Sequence, residues 1–214
     1  MPVTFEHLPQ PTDDDLARIR DIYESNFPPV MQKPFTVIAE GSRDGSVIVL
    51  VACDEGQPGR IMGIATLAQL AGTPTLYLGY LAVDQRLHNR GIGGQLFRFV
   101  VEFVTDHTSA GALVWEIEAP EQGDPMHIHN RRIRFYERLG AQVVTLASTY
   151  RMPDGNSGGG TIPLRLMWYP LHGRTAPPAK PEVASWIKDI YDLVYPGSDA
   201  LAAQLIAELD DDIR

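Results

Sequence analysis

Tyr80-Leu81-Ala82-Val83-Asp84-Gln85-Arg86-Leu87-His88-Asn89-Arg90-Gly91-Ile92-Gly93-Gly94 runs from an apolar segment through a polar turn into three glycines. Thr75 to Val83 reads as a buried strand and is the most central strand by composition. From Ile92 the apolar residues Ile92, Leu96, Phe99, Val100, Phe103 and Val104 recur with helical period, with Gln95, Arg98 and Glu102 on the other face. The glycines therefore stand between a strand end and a helix start. Glycine lets the backbone approach an anion closely, and the first helical turn adds unpaired N–H groups and the positive end of a dipole. The stretch is a phosphate cradle by construction. A P-loop needs Lys and then Ser or Thr after its glycine, where Gln95-Leu96 stand, and a dinucleotide fingerprint needs a glycine where Leu96 stands. Both nucleotide readings fail on spacing. Glycines that merely permit tight helix packing remain the structural alternative.

Working outward toward the N-terminus, Ile61 to Gln69 reads as a strand paired back on Ser46 to Cys53, which is too apolar to face water on either side. Asp13 to Asn26 has acidic residues at its front and Leu16, Ile19, Ile22 and Tyr23 at helical spacing, and Pro34 to Glu40 predicts a second short helix. Toward the C-terminus, Leu113 to Glu118 predicts a strand, Asn130 to Leu139 a helix with Gly140 as its C-cap, and Gln142 to Ala147 a further strand. Asp154 to Gly160 reads as a flexible hairpin loop ahead of a final strand containing Ile162, Leu164, Leu166 and Trp168. Arg174 to Pro181 looks like a linker, followed by two amphipathic helices. Two such helices alone make a poor domain, so they are expected to dock on the main body or on a second copy of the chain, which leaves a homodimer open.

Composition narrows the class. The 214 residues are 44% hydrophobic and 21% charged, the balance of an ordinary globular protein. Eighteen Lys and Arg face 27 Asp and Glu for a net charge of −9, which argues against a nucleic-acid partner and would attract a cationic small molecule. The single Cys53 forms no internal disulfide and reads as a small core residue. The opening MPVTFEHLPQ lacks the features of a signal peptide, and no apolar run approaches the roughly 20 residues of a membrane helix. A cytoplasmic, reduced protein without membrane contact is expected.

Leu81-Ala82-Val83 followed by Arg90-Gly91-Ile92-Gly93-Gly94 resembles the acyl-CoA-binding motif of the GNAT superfamily of N-acetyltransferases. Arg131-Arg132-Ile133-Arg134-Phe135-Tyr136-Glu137-Arg138-Leu139-Gly140-Ala141 resembles that family's second motif, a helix bearing a Tyr and closing on Leu-Gly. The order of elements agrees, and the resemblance covers roughly residues 4 to 170. It implies an α/β fold of the α+β type: a mixed, mostly antiparallel sheet flanked by helices, over residues 1–170, with residues 171–214 as linker and helical extension. His88 and Asn89 stand where the family usually has Arg or Gln and then Gly, and the helix Asn arrives one residue late as Asn130.

The resemblance further implies direct transfer of an acetyl group from acetyl-CoA to a primary amine. Leu81, Ala82, Val83, His88, Asn89, Arg90, Gly91, Ile92, Gly93 and Gly94 are then the candidate cofactor-binding residues. Only a neutral amine attacks, so a base must take a proton from the ammonium; Glu116 and Glu118, two apart on one face of a strand, are the candidates. Carboxylates on an apolar strand are costly unless paired or functional, and ion pairing with Arg131, Arg132 or Arg134 is the alternative. Tyr80 is a third base through water, and Tyr136 is the candidate acid for the leaving thiolate. His127 and His129 form a His-x-His in an unusually long connection from Ala119, which reads as a substrate-facing loop; a metal site would need a third ligand, and none is expected. A small cationic amine is the expected acceptor. The rivals are a catalytically silent acyl-CoA-binding module and a nucleotide- or phosphate-binding protein using the same loop.

Overall fold

The strand β1 (Val3–His7) pairs antiparallel with β2 (Ile48–Asp54), and β2 pairs antiparallel with β3 (Ile61–Gln69). Those strands, with β4 (Thr75–Val83), open a mixed sheet in the computed structural model, which describes residues 2–57, 59–146, 148–154 and 160–210. By internal contacts the chain forms two compact units, residues 1–69 with 78–108 and residues 70–77 with 109–214, so β4 contributes to both.

In the first unit, β2 is buried almost throughout because both of its faces are covered. Val49, Val51 and Cys53 join a cluster with Leu16, Ile19, Ile22 and Tyr23 of α1 (Asp13–Asn26) and with Phe35 and Ile38 of α2 (Phe35–Asp44). On the opposite face, Phe5 and His7, paired with Ala52 and Leu50, meet Phe99 and Phe103 of α3 (Ile92–His107). Thr12 and Asp15 form a capping box at the front of α1. Helix α2 runs beyond the predicted Glu40 to Asp44, past Gly41. A Cβ at Gly41 would lie 2.5 Å from Val47 Cγ2, so close packing accounts for a residue that propensity counts against the helix.

In the second unit the first residues of β4, Thr75–Tyr77, pair parallel with β5 (Ala112–Glu118) over Ala112–Val114. Next to β5 lies β8 (Thr161–Pro170), antiparallel to it, and β8 also pairs with β6 (Gln142–Val143) and β7 (Arg151–Pro153). The sheet order is β1-β2-β3-β4-β5-β8-β6, with β7 beside β8. The expected strand over residues 142–147 is only two residues long; Val144 still bonds Leu166, but β7 takes the other half of the same edge, and the chain leaves the edge between them. Ala147 and residues 155–159, the centre of the expected hairpin loop, lie outside the described residues.

The faces of β5 carry different partners. Trp115 packs against Tyr136 of α4 (Ile128–Glu137) with ring centroids 4.9 Å apart and the planes tilted by 51°. The alternate residues Val114 and Glu116 share their face with Trp168 and Leu166, and there α5 (Lys180–Val194) packs: its fully buried Trp186 lies against Trp168 and donates to Thr75 Oγ1 at 3.0 Å. Asp189 of α5 accepts from Gly72 N–H, and α6 (Asp199–Ala207) packs on α5. Helix α4 starts two residues before the predicted Asn130, because His127 Nδ1 accepts from His129 N–H and caps it. Gly140, at φ +99°, closes it with paired bonds from Ala141 N–H to Tyr136 O and from Gly140 N–H to Glu137 O. Among the described residues no helix is long and apolar enough to cross a membrane.

Candidate active site

Where β4 ends, Asp84 N–H still bonds Met62 O of β3 at 2.8 Å, and side chains add to that pairing. Val83 O accepts from Asn26 Nδ2 at 3.1 Å and lies 2.9 Å from His88 Nε2, which also contacts Asn26 Oδ1 at 3.2 Å. Both contacts of Nε2 are to acceptors, so the geometry requires the Nε2–H form of His88. The neighbouring Asp84 is buried and accepts from Arg86 N–H, Nε and Nη2 and from Arg18 Nη2. Hydrogen bonds from Arg86 and Arg18 outweigh the cost of burial and hold its carboxyl far below the usual range. Asp84 caps a 3-10 turn over Gln85–Leu87. Beyond it the chain passes through Asn89 at φ +62° and Gly91 at φ +80°, the N-cap of α3.

This path leaves His88, Asn89, Arg90 and Gly91 exposed, with Gly93 and Gly94 half-buried in the first turn of α3. That turn has N–H groups without intrahelical acceptors. The space at Gly91 is open, since a Cβ there would meet nothing nearer than Gln95 Nε2 at 3.9 Å. An anion fits such a turn. Of the cofactor candidates, His88 is used to pin Val83, while Leu81 and Ala82 lie in β4 beyond its register with β5. Asp84, Asn26 and Arg18 hold this turn and were not singled out from the sequence; an Asp directly after an apolar strand and before a turn was the available signal.

In the second unit Glu116 is encircled by phenols. Tyr77 and Tyr195 donate to Oε2 at 2.8 Å each, and Tyr150 donates to Oε1 at 2.7 Å. Burial, and then the Glu116 charge, push the Tyr150 and Tyr195 phenols well above their ordinary value, so they remain donors. A carboxylate serving three donors has little room to take a proton from a fourth group.

Glu118, at the end of β5, forms an ion pair through Oε1 with Arg132 Nη1 of α4. One helical turn on, Tyr136 feels both: burial raises its phenol, the Arg132 charge opposes and the Glu118 charge adds to the rise. The phenol therefore keeps its proton at neutral pH. Tyr136 packs on Trp115 and feels the Glu118–Arg132 pair, whereas Glu116 is enclosed by Tyr77, Tyr150 and Tyr195, so the structure brings Glu118 and Tyr136 together and sets Glu116 apart. Tyr80 contacts Tyr23 Oη, Lys33 N–H and Met31 O in the first unit. Burial pushes the Cys53 thiol up to about 12, and its Sγ lies 3.4 Å from Glu6, in keeping with a core residue. Asn130 spends its amide on Glu121 O and Asp124 O, folding the long loop. Among the described residues no group of three or more His, Cys, Asp or Glu is placed to hold a metal.

The first unit thus carries a glycine turn with free N–H groups at the start of α3, and the second, taken by itself, a carboxylate, a guanidinium and a phenol on β5 and α4. The profile of the acetyltransferase (GNAT) family matches residues 16–141, and the chain belongs to that family. Among solved structures, a GNAT-family protein from Bacteroides thetaiotaomicron aligns over 90% of this chain and 98% of its own, at 21% identity and a TM-score of 0.66. The ribosomal-protein-S18-alanine N-acetyltransferase from Escherichia coli covers 81% and 97%, at 18% identity and a TM-score of 0.58. NAA60 from Arabidopsis thaliana in complex with acetyl-CoA covers 80% and 100%, at 17% identity and a TM-score of 0.61. At these identities the likeness shows the fold. A search of curated protein sequences finds no match.

Proposed function

We propose that the protein transfers an acetyl group from acetyl-CoA to the primary amine of a small cationic acceptor by direct attack. The observation that carries this reading is the turn after β4, with Gly91 at φ +80° ahead of the uncapped first turn of α3. Its N–H groups are suited to a pyrophosphate, and the backbone of Leu81 and Ala82 to β-like pairing with a pantetheine arm. GNAT relatives crystallised with acetyl-CoA and with coenzyme A support the choice of donor. Acetyl-CoA supplies an activated acyl carbon.

In the proposed chemistry Glu118 accepts a proton from the incoming ammonium, and the neutral nitrogen forms the C–N bond as the C–S bond breaks. Tyr136 gives its phenolic proton to the departing sulfur, and the second proton, which the nitrogen sheds on becoming an amide, restores the phenol. Arg132 orients Glu118, and the filled shell of Glu116 makes that carboxylate structural. The acidic balance of the chain supports a cationic amine over nucleic acid, and a reduced Cys53 fits a cytoplasmic place. Residues 1–170 form the catalytic domain and 171–214 its extension in this reading, with a homodimer as the assembly to test.

The test is thermal unfolding with acetyl-CoA, ATP or NAD. At about 100 times its dissociation constant, acetyl-CoA should add roughly 2.7 kcal/mol. Stabilisation by acetyl-CoA alone, followed by thiol release in a screen of amines, supports the reading. Stabilisation by ATP or NAD in its place, or none by any of the three, overturns it.

A further inference from the structure

A cavity of about 630 Å³ opens within the second unit, away from the Glu116 cage, and is lined by Pro120, Pro125, Ile133, Val143, Arg134 and Arg165 together with Glu121 and Asn130. The volume lies within the range of small-molecule pockets. Its wall is preformed, because the Asn130 amide ties Glu121 O and Asp124 O at 2.8 and 2.6 Å and so fixes the loop that forms the rim.

Two of its side chains stand out by comparison with the rest of the chain. Among the half-buried arginines Arg18, Arg132, Arg151 and Arg174 each reach a carboxylate. Arg134 and Arg165 are half-buried too, yet among the described residues neither forms an ion pair, and both line this cavity. Arg134 is tethered by a hydrogen bond to Pro125 O, which leaves most of its donors unused; Arg165 projects from β8 at the position opposite Ile117. A half-buried guanidinium without a counter-charge costs free energy that a bound anion would recover. Glu121, the one acid of the lining, is exposed and pairs with neither.

We infer that this cavity binds a small organic carboxylate, its acid group taken by Arg134 and Arg165 and its apolar body resting on Ile133, Val143 and the two prolines. The site lies wholly within the second unit and does not depend on the acetyl-transfer reading.

Benzoate and its neutral isostere benzamide are the probes, titrated calorimetrically into the full chain. Benzoate should bind saturably and benzamide should not. Arg165→Gln should weaken benzoate about tenfold or more, and Glu121→Gln should leave binding equal or tighter. Arg131→Gln, exposed on the same helix and outside the lining, should leave it unchanged, which separates loss of the site from loss of the fold. Equal binding of the two probes, or an Arg165→Gln variant that binds as the parent does, overturns the inference. The titration is repeated with saturating acetyl-CoA and with 3′-dephospho-CoA. Persistence of the benzoate signal supports a separate site, whereas displacement by acetyl-CoA but not by 3′-dephospho-CoA would assign the cavity to the cofactor's own phosphate and sink the proposal.

Discussion

Asp84 shows how much a single side chain organises at the end of β4. It joins Arg18 of α1 to Arg86 of the following turn, so Asp84→Asn should lower stability by about 1–3 kcal/mol, measured by urea unfolding. Because the folded state holds this carboxyl far below its ordinary range, the contribution is complete above about pH 4 and is lost as pH falls below that. The variant should therefore have a flatter acid limb than the parent, and parallel limbs would refute the anchor. At Glu118 and Tyr136 the expectation is kinetic: Glu118→Gln and Tyr136→Phe should each lower kcat roughly 10²-fold. Retention of full rate by both would remove the assigned roles. Ion pairing of Glu118 with one of three arginines was legible as an alternative, and Arg132 is the partner. The phenol shell of Glu116 was not, since Tyr77, Tyr150 and Tyr195 lie 39, 34 and 79 residues from it in sequence.

At the scale of elements, helices α1 and α3 and strands β3 and β4 follow the sequence period closely, each being long and strongly patterned. The short edge strands did not declare themselves. Strand β1 covers the edge of β2 with a polar-rich VTFEH, and β7 has three residues ending in Pro153, so neither carries a period long enough to read. The start of α3 yields the sharpest prediction at this scale. Gly93→Asp puts bulk and negative charge in the first turn and should abolish acetyl-CoA binding, read by calorimetry, while far-UV dichroism stays unchanged. Unaltered affinity would rule out a pyrophosphate at that turn.

For the molecule as a whole, the C-terminal helices matter most to the second unit. Trp186 has no exposed surface, Tyr195 completes the shell of Glu116, and Arg151 bonds Glu208 at 3.1 Å through both terminal nitrogens. Deleting residues 171–214 should thus expose Trp168 and strip protection from the amides of β5 and β8, as read by hydrogen exchange. Unchanged protection would mean that these helices add nothing to the unit. A milder probe is Tyr195→Phe, expected to cost about 1 kcal/mol, or more because the acceptor is a carboxylate.

What the sequence alone determined is the family: a buried strand, a glycine turn and a helix start are contiguous, and contiguous features are set by local periodicity and backbone freedom. Tertiary structure decided which carboxylate is enclosed, which half-buried arginines form no ion pair among the described residues, and where the last helices pack. Those outcomes depend on side chains far apart in sequence meeting where water is excluded, and only the folded chain brings them together.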